Sequence, residues 1–163
     1  MKYELTDETI DVSGTTLHRI KALKDFGNVK KGELGGYVES EYNLSQIGNC
    51  WVYGNARVCG DAELCGNAKV YGNAWVYGNA EVCGNARVYG NADYITIKGL
   101  GSRYRDTTIF KTRNEDVVVR CGCFYGTLTE FVNEVGITHG DSKYAKEYLA
   151  LVELAKIHFG IEK

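Results

Sequence analysis

Between residues 52 and 93 the chain repeats one pattern of apolar, small and polar residues every six positions without a slip: VYGNAR, VCGDAE, LCGNAK, VYGNAW, VYGNAE, VCGNAR, VYGNAD. Looser copies, LGGYVE, SEYNLS and QIGNCW, carry the pattern back to Leu34, so about ten hexads cover 34–93. A short fixed period predicts a solenoid, and a period of six predicts a parallel β-helix. Alternate side chains of an extended strand share a face. The aliphatic first position (Val52, Val58, Leu64, Val70, Val76, Val82, Val88) and the alanine at the fifth therefore both point inward. The Gly-Asn pair between them supplies a corner, since both residues tolerate the positive φ of a sharp bend. Three such walls close a coil of about eighteen residues. That period stacks Val52, Val70 and Val88 in an inner column and Tyr53, Tyr71 and Tyr89 in an outer one, at roughly 4.8 Å per step.

Both open ends of a repeat array need a cover. Residues 1–33 predict an N-terminal β cap, with strands near 1–10 and 16–23 about a turn at Val12-Ser13-Gly14. Residues 94–163 predict a small α+β domain. The alternation YITIK leads into the loop Gly99-Leu100-Gly101-Ser102, and a hairpin of 106–112 and 116–121 turns at Arg113-Asn114-Glu115. A helix from about Leu128 to Val135 opens with the capping box Thr127 and Glu130. A last helix follows Gly140-Asp141-Ser142, carries the stripe Tyr144, Tyr148, Leu151, Val152, Ala155 and Phe159, and ends at Gly160.

The hexads of 34–93 resemble the hexapeptide-repeat family of left-handed parallel β-helices, many of whose members are acyltransferases that work as trimers. The resemblance implies a left-handed coil. It departs in one respect, because the glycine common at the second hexad position in those enzymes stands here at the third. The segment from Gly101 to Phe159, GSRYRDTTIF through ELAKIHF, and the stretch LGGYVESEYNLSQIGN resemble uncharacterised proteins of bacteriophages and prophages that join hexad repeats to a small C-terminal domain. That likeness implies a phage setting and no known chemistry; the reading placed in that setting is a non-catalytic, phage-type binding protein in the cytoplasm of a host bacterium. Its partner would be a host protein or a small anionic or nucleotide ligand, in the setting of countering host defence.

Charge and composition narrow the expectation. The formal net charge of -2 over 163 residues lacks the basic field that drives nucleic-acid binding. No window approaches the roughly 18 apolar residues of a membrane helix, and the N-terminus has no secretory apolar region, so a soluble cytoplasmic chain with six reduced cysteines is expected. Proline is absent, which suits uninterrupted β coils. The only histidines are His18, His139 and His158, none inside the hexads. The coil therefore offers neither the general base of an acyltransferase nor the three histidine ligands of a β-helical carbonic anhydrase. The expectation is a binding protein that is not an enzyme and needs no cofactor. The alternatives are a hexapeptide acyltransferase-like enzyme whose active site has moved to the junction with the C-terminal domain, or a purely structural assembly module.

Three sets of residues carry candidate chemistry. The glycine-broken loop and the cations after it suggest an anion or nucleotide site of Gly99, Gly101, Ser102, Arg103, Arg105, Thr107, Thr108, Lys111 and Arg120. Glycine turns can offer backbone N–H groups, and two arginines on one face of an extended segment can converge on a phosphate. Tyr53, Tyr71, Tyr77 and Tyr89, with Trp51 and Trp75 at outward positions, suggest an aromatic surface for homo-oligomerisation. Cys121 and Cys123 with the distant His139 are candidate metal ligands, but they lack the paired Cys-x-x-Cys spacing of structural zinc sites, and no metal is assigned.

Overall fold

A computed structural model describes residues 1–161 of the chain. The protein is mainly β, with a pair of helices at its C-terminal end. Strand β1 (Tyr3–Val12) and strand β2 (Thr15–Ala22) form an antiparallel hairpin about Ser13 and Gly14, both at positive φ. Strand β3 (Leu34–Val38) pairs antiparallel with β2 on one side and in parallel with the hexads on the other.

The hexads supply two-residue strands: β4 (Trp51–Val52), β5 (Arg57–Val58), β6 (Glu63–Leu64), β7 (Lys69–Val70), β8 (Trp75–Val76), β9 (Glu81–Val82) and β10 (Arg87–Val88). They stack in three separate parallel rows, β3-β5-β8, β4-β7-β10 and β6-β9. Within the hexads the step is eighteen residues, as in Val52 beside Val70 and Val70 beside Val88. Every aliphatic first position from Val52 to Val88, and the alanines from Ala56 to Ala86, are buried with almost no exposure. Burial of this continuous apolar column, at roughly 25 cal/mol per Å², drives coils that no single hexad could hold.

Two details differ from the expectation. Glycine alone takes the positive φ at the corners, from 60° at Gly54 to 75° at Gly78, while the asparagines that follow stay at negative φ. The upstream copies also run out of phase: Val38 pairs with Val58 and Leu44 bridges Leu64, twenty residues on, and Leu34 at the head of LGGYVE is exposed. The two additional residues lie between Leu44 and Trp51, where the step returns to eighteen.

The chain then forms an antiparallel sheet of β11 (Tyr94–Leu100), β12 (Arg105–Lys111), β13 (Val117–Cys121) and β14 (Phe124–Thr127), one strand more than the pattern predicts. Helix α1 (Leu128–His139) starts at the expected capping box, Thr127 with Glu130, and runs one turn beyond Val135. Helix α2 (Lys143–Phe159) is capped by the Ser142 side chain and stopped by Gly160 in the left-handed conformation.

The period-two alternation of β12 and β13 divides this sheet between two cores. Phe110 and Val118 join the coil interior, whereas Ile109, Val117, Val119 and Cys121 pack under the helices with Phe131, Val135, Tyr148, Leu151 and Val152. One face of the sheet thus closes the last coil and the other floors a helical layer.

Candidate functional site

The helical face of the sheet opens into a cleft of about 230 Å³ lined by Ser102, Arg103, Arg105, Cys121, Cys123, Phe124, Phe131, Glu134, Val135, Thr138, His139 and Tyr148. Its floor is apolar and its rim carries most of the chemistry. Phe131 stands edge-on to Tyr148 with centroids 5.3 Å apart, and the His139 ring lies 5.8 Å from Tyr148 and 5.9 Å from Tyr144. His139 ends α1 and is half-buried.

The loop before the cleft is set by two glycines. Gly101, at φ +79°, donates its N–H to Glu147 Oε1 at 3.0 Å and has the Tyr148 hydroxyl where a Cβ would stand. Gly122, at φ +60°, gives the same room to the Arg105 guanidinium, which lies across it. Tyr148 donates its hydroxyl to Leu100 O at 3.3 Å and receives the Cys121 thiol at 3.6 Å; Cys121 in turn accepts from Thr107 Oγ1 at 3.3 Å. Burial, reinforced by Cys121, raises the Tyr148 pKa well above the usual phenol range. Tyr148 is therefore a neutral hydrogen-bonding group at physiological pH.

The expected anion site is divided by the sheet. Ser102, Arg103 and Arg105 line the cleft, while Thr107 is buried behind it and Gly99 sits exposed at the irregularity near the end of β11. Arg103 and Arg105 do not meet as neighbours in an extended segment, because Tyr104 between them is in a turn at φ +54°. Thr108 and Arg120 point to the opposite face. Thr108 Oγ1 accepts the Glu81 N–H at 3.0 Å, and the Arg120 Nε lies 3.4 Å from Glu81 Oε1, an ion pair short of hydrogen-bond geometry. Lys111 pairs with Asp93 at 3.7 Å. These three residues join the C-terminal sheet to the coil.

The cleft gathers two sets that the sequence keeps apart, since the candidate metal ligands Cys121, Cys123 and His139 line it beside the arginines. Among the described residues no three His, Cys, Asp or Glu side chains converge as a metal site. Cys121 is buried and Cys123 is exposed. Glu134, Thr138 and Tyr148 also line the cleft, and no motif in the sequence marks them as site residues. Tyr148 belongs to the apolar stripe of α2 and carries no separate signal, and Glu134, five residues before His139 on α1, is not at the three- or four-residue spacing that marks a shared helix face.

The aromatic positions form one column and one separate pair. Tyr53, Tyr71 and Tyr89 stack at 4.7 and 4.6 Å, while Trp75 packs on Tyr77 at 4.9 Å and donates Nε1–H to Cys59 Sγ at 3.2 Å. Trp51, expected at the surface, is fully buried instead. The N-terminal hairpin and the loop after it cover that wall, with Tyr3 and Phe26 edge-on to the indole at 6.2 and 5.2 Å. Among the described residues, no helix is long and apolar enough to cross a membrane.

No family model matches the chain. Over 60 residues it is 38% identical to a protein of Escherichia coli (strain K12) described as the uncharacterized acetyltransferase YdcK. The match takes in 32% of this chain and 18% of that protein. This similarity corrects the expectation that the chain is not an enzyme. The absence of histidine from the hexads bears only on the coil walls. His139 in the C-terminal cleft lies outside that argument.

Proposed function

We propose that the chain is an acyl-transfer enzyme whose left-handed hexapeptide coil is a scaffold and whose chemistry resides in the C-terminal cleft. The observation that carries this reading is the placement of His139, Glu134, Arg103 and Arg105 around one apolar-floored cleft. The likeness to a protein described as an acetyltransferase supports the reaction class.

In this reading Arg103 and Arg105 hold the phosphates of a nucleotide acyl thioester such as acetyl-coenzyme A, since guanidinium groups bind phosphate through forked N–H donors. At about 230 Å³ the cleft is smaller than a typical drug-sized pocket, so it takes the acyl end and the nucleotide lies along the exposed arginine rim. His139 accepts the proton of an amine or hydroxyl acceptor as its nitrogen or oxygen attacks the thioester carbonyl. The carbon–sulfur bond then breaks, and the departing thiolate takes a proton to leave as the thiol.

The test is transfer of radiolabelled acetyl from acetyl-coenzyme A to a panel of small amines and alcohols, alongside melting curves with and without the donor. Donor binding to the folded state is expected to raise the melting temperature. His139→Ala is expected to lower turnover about a hundredfold with the fold intact, the usual scale for a lost general base. Arg103→Ala with Arg105→Ala is expected to raise KM for the donor. Absence of both acetyl transfer and a melting shift at millimolar donor would sink the proposal.

The same coil also serves self-association through the Tyr53, Tyr71, Tyr89 column. Support comes from the exposure of Tyr89, 62%, at the end of a flat stack of rings.

A further inference from the structure

Cys65 and Cys83 occupy the second hexad position on consecutive coils, the same position that stacks Tyr53 on Tyr71 with centroids 4.7 Å apart. The residues just before them, Leu64 and Val82, are register partners in a parallel pair, and the Cys65 N–H donates to Val82 O at 3.1 Å. Neighbouring strands stand about 4.8 Å apart, within the roughly 4.4–6.8 Å between Cα atoms that a disulfide spans. Both thiols are free, Cys83 buried and Cys65 half-buried.

Arg120 reaches this pair from β13. Its Nη1 lies 3.8 Å from Cys83 Sγ and its Nε 3.4 Å from Glu81 Oε1, so the guanidinium bridges a thiol and a carboxylate at the seam between coil and C-terminal sheet. Cys65 and Cys83 are neighbours across the parallel Leu64–Val82 register. The neighbouring Cys65 thiol first, and the Arg120 charge with it, hold the Cys83 thiol below its ordinary range against burial and Glu81, while Cys83 first and burial with it push Cys65 up. One sulfur is prepared as a nucleophile and its neighbour as a proton holder.

We propose that Cys65 and Cys83 form a peroxide-responsive thiol–disulfide pair, with Cys83 as the attacking sulfur, Cys65 as the resolving one and Arg120 as a positioning residue. The Cys83 thiolate attacks one oxygen of hydrogen peroxide; an S–O bond forms, the O–O bond breaks, and the departing hydroxide takes a proton to become water. Cys65 then attacks the sulfenic sulfur of Cys83. An S–S bond forms, the S–O bond breaks, and the hydroxide leaves with the Cys65 proton as a second water. The two sulfurs lose two electrons and the peroxide gains them. Hydrogen peroxide suits the site because it is small enough to reach a cysteine that is only 5% exposed. Once the disulfide exists Cys83 carries no charge, and Arg120 keeps Glu81 alone as its partner at the seam.

The experiment treats the full-length protein with a small excess of hydrogen peroxide, alkylates the remaining thiols and maps the peptides by mass. A peptide linking Cys65 to Cys83, lighter by two hydrogens and reversed by a reductant, is expected. Cys65→Ser is expected to drive Cys83 on to the sulfinic acid. Arg120→Gln is expected to slow disulfide formation at neutral pH roughly tenfold, one pKa unit of thiolate population, and Arg120→Lys to recover most of the rate. Oxidation confined to Cys123 or Cys59, or a wild-type rate in Arg120→Gln, would overturn the assignment. The readout is a mass and a thiol count, so it stands or falls separately from acyl transfer.

Discussion

Tyr53 and Tyr71 stand eighteen residues apart in sequence, yet their rings lie 4.7 Å apart and 9° from parallel, and Tyr89 continues the stack at 4.6 Å. The rings stack because the in-register strands repeat each side chain at the strand spacing, and Lys69 adds its ammonium 5.8 Å from the Tyr53 ring. Replacing all three tyrosines with serine is expected to leave the coils folded and to lower the mass seen by sedimentation by at least one association step. An unchanged mass in a folded protein would move the interface elsewhere.

Val70 is fully buried between Val52 and Val88. Val70→Asp places a carboxylate with no partner inside the column, at a cost on the order of several kcal/mol, comparable to the whole stability of a marginal domain. Loss of the folded β signal, or a large fall in melting temperature by circular dichroism, is the expected result. Unchanged melting would refute the inner register.

Gly101 holds the cleft open. A Cβ there meets the Tyr148 hydroxyl and the residue is at positive φ, so Gly101→Ala strains the backbone and pushes Tyr148 from Leu100 O. A loss of about 1–3 kcal/mol in urea unfolding is expected, with weakened donor binding, whereas Gly136→Ala on the exposed face of α1, where a Cβ meets nothing, is expected to be neutral or stabilising.

Lys2 is buried, donates to Cys50 O at 2.9 Å and Gly48 O at 3.3 Å, and sits 4.9 Å from the Phe26 ring. Burial lowers its pKa below the ordinary 10.5 in spite of Cys50. Between the lowered value and 10.5 the unfolded chain binds the proton that the folded chain has released, so this group makes stability rise with pH across that window. Lys2→Met cannot titrate. The gap in unfolding free energy between the two proteins is expected to shift toward the wild type as pH is raised to 10.5; a constant gap would clear Lys2 of the effect.

The hexad alone determined the coil's inner column, its corner glycines and its eighteen-residue step, because a period repeated seven times leaves only one stacking that buries the aliphatic first positions together with the alanines from Ala56 to Ala86. The helix limits at Thr127, Ser142 and Gly160 were equally legible, since caps are local chemistry. Tertiary structure decided what local pattern could not. Trp51 is buried because a hairpin from the other end of the chain lies over it. The two-residue shift before Trp51 absorbs a slip that weak hexads do not reveal. Arg105 and Arg120 belong to different surfaces because β12 and β13 present alternate faces to helices and coil, a partition that exists only once both layers are in place. His139, Cys123 and Arg103 meet because α1 folds back over the sheet, a long-range packing event set by the burial of Phe131 and Val135 rather than by any spacing along the chain.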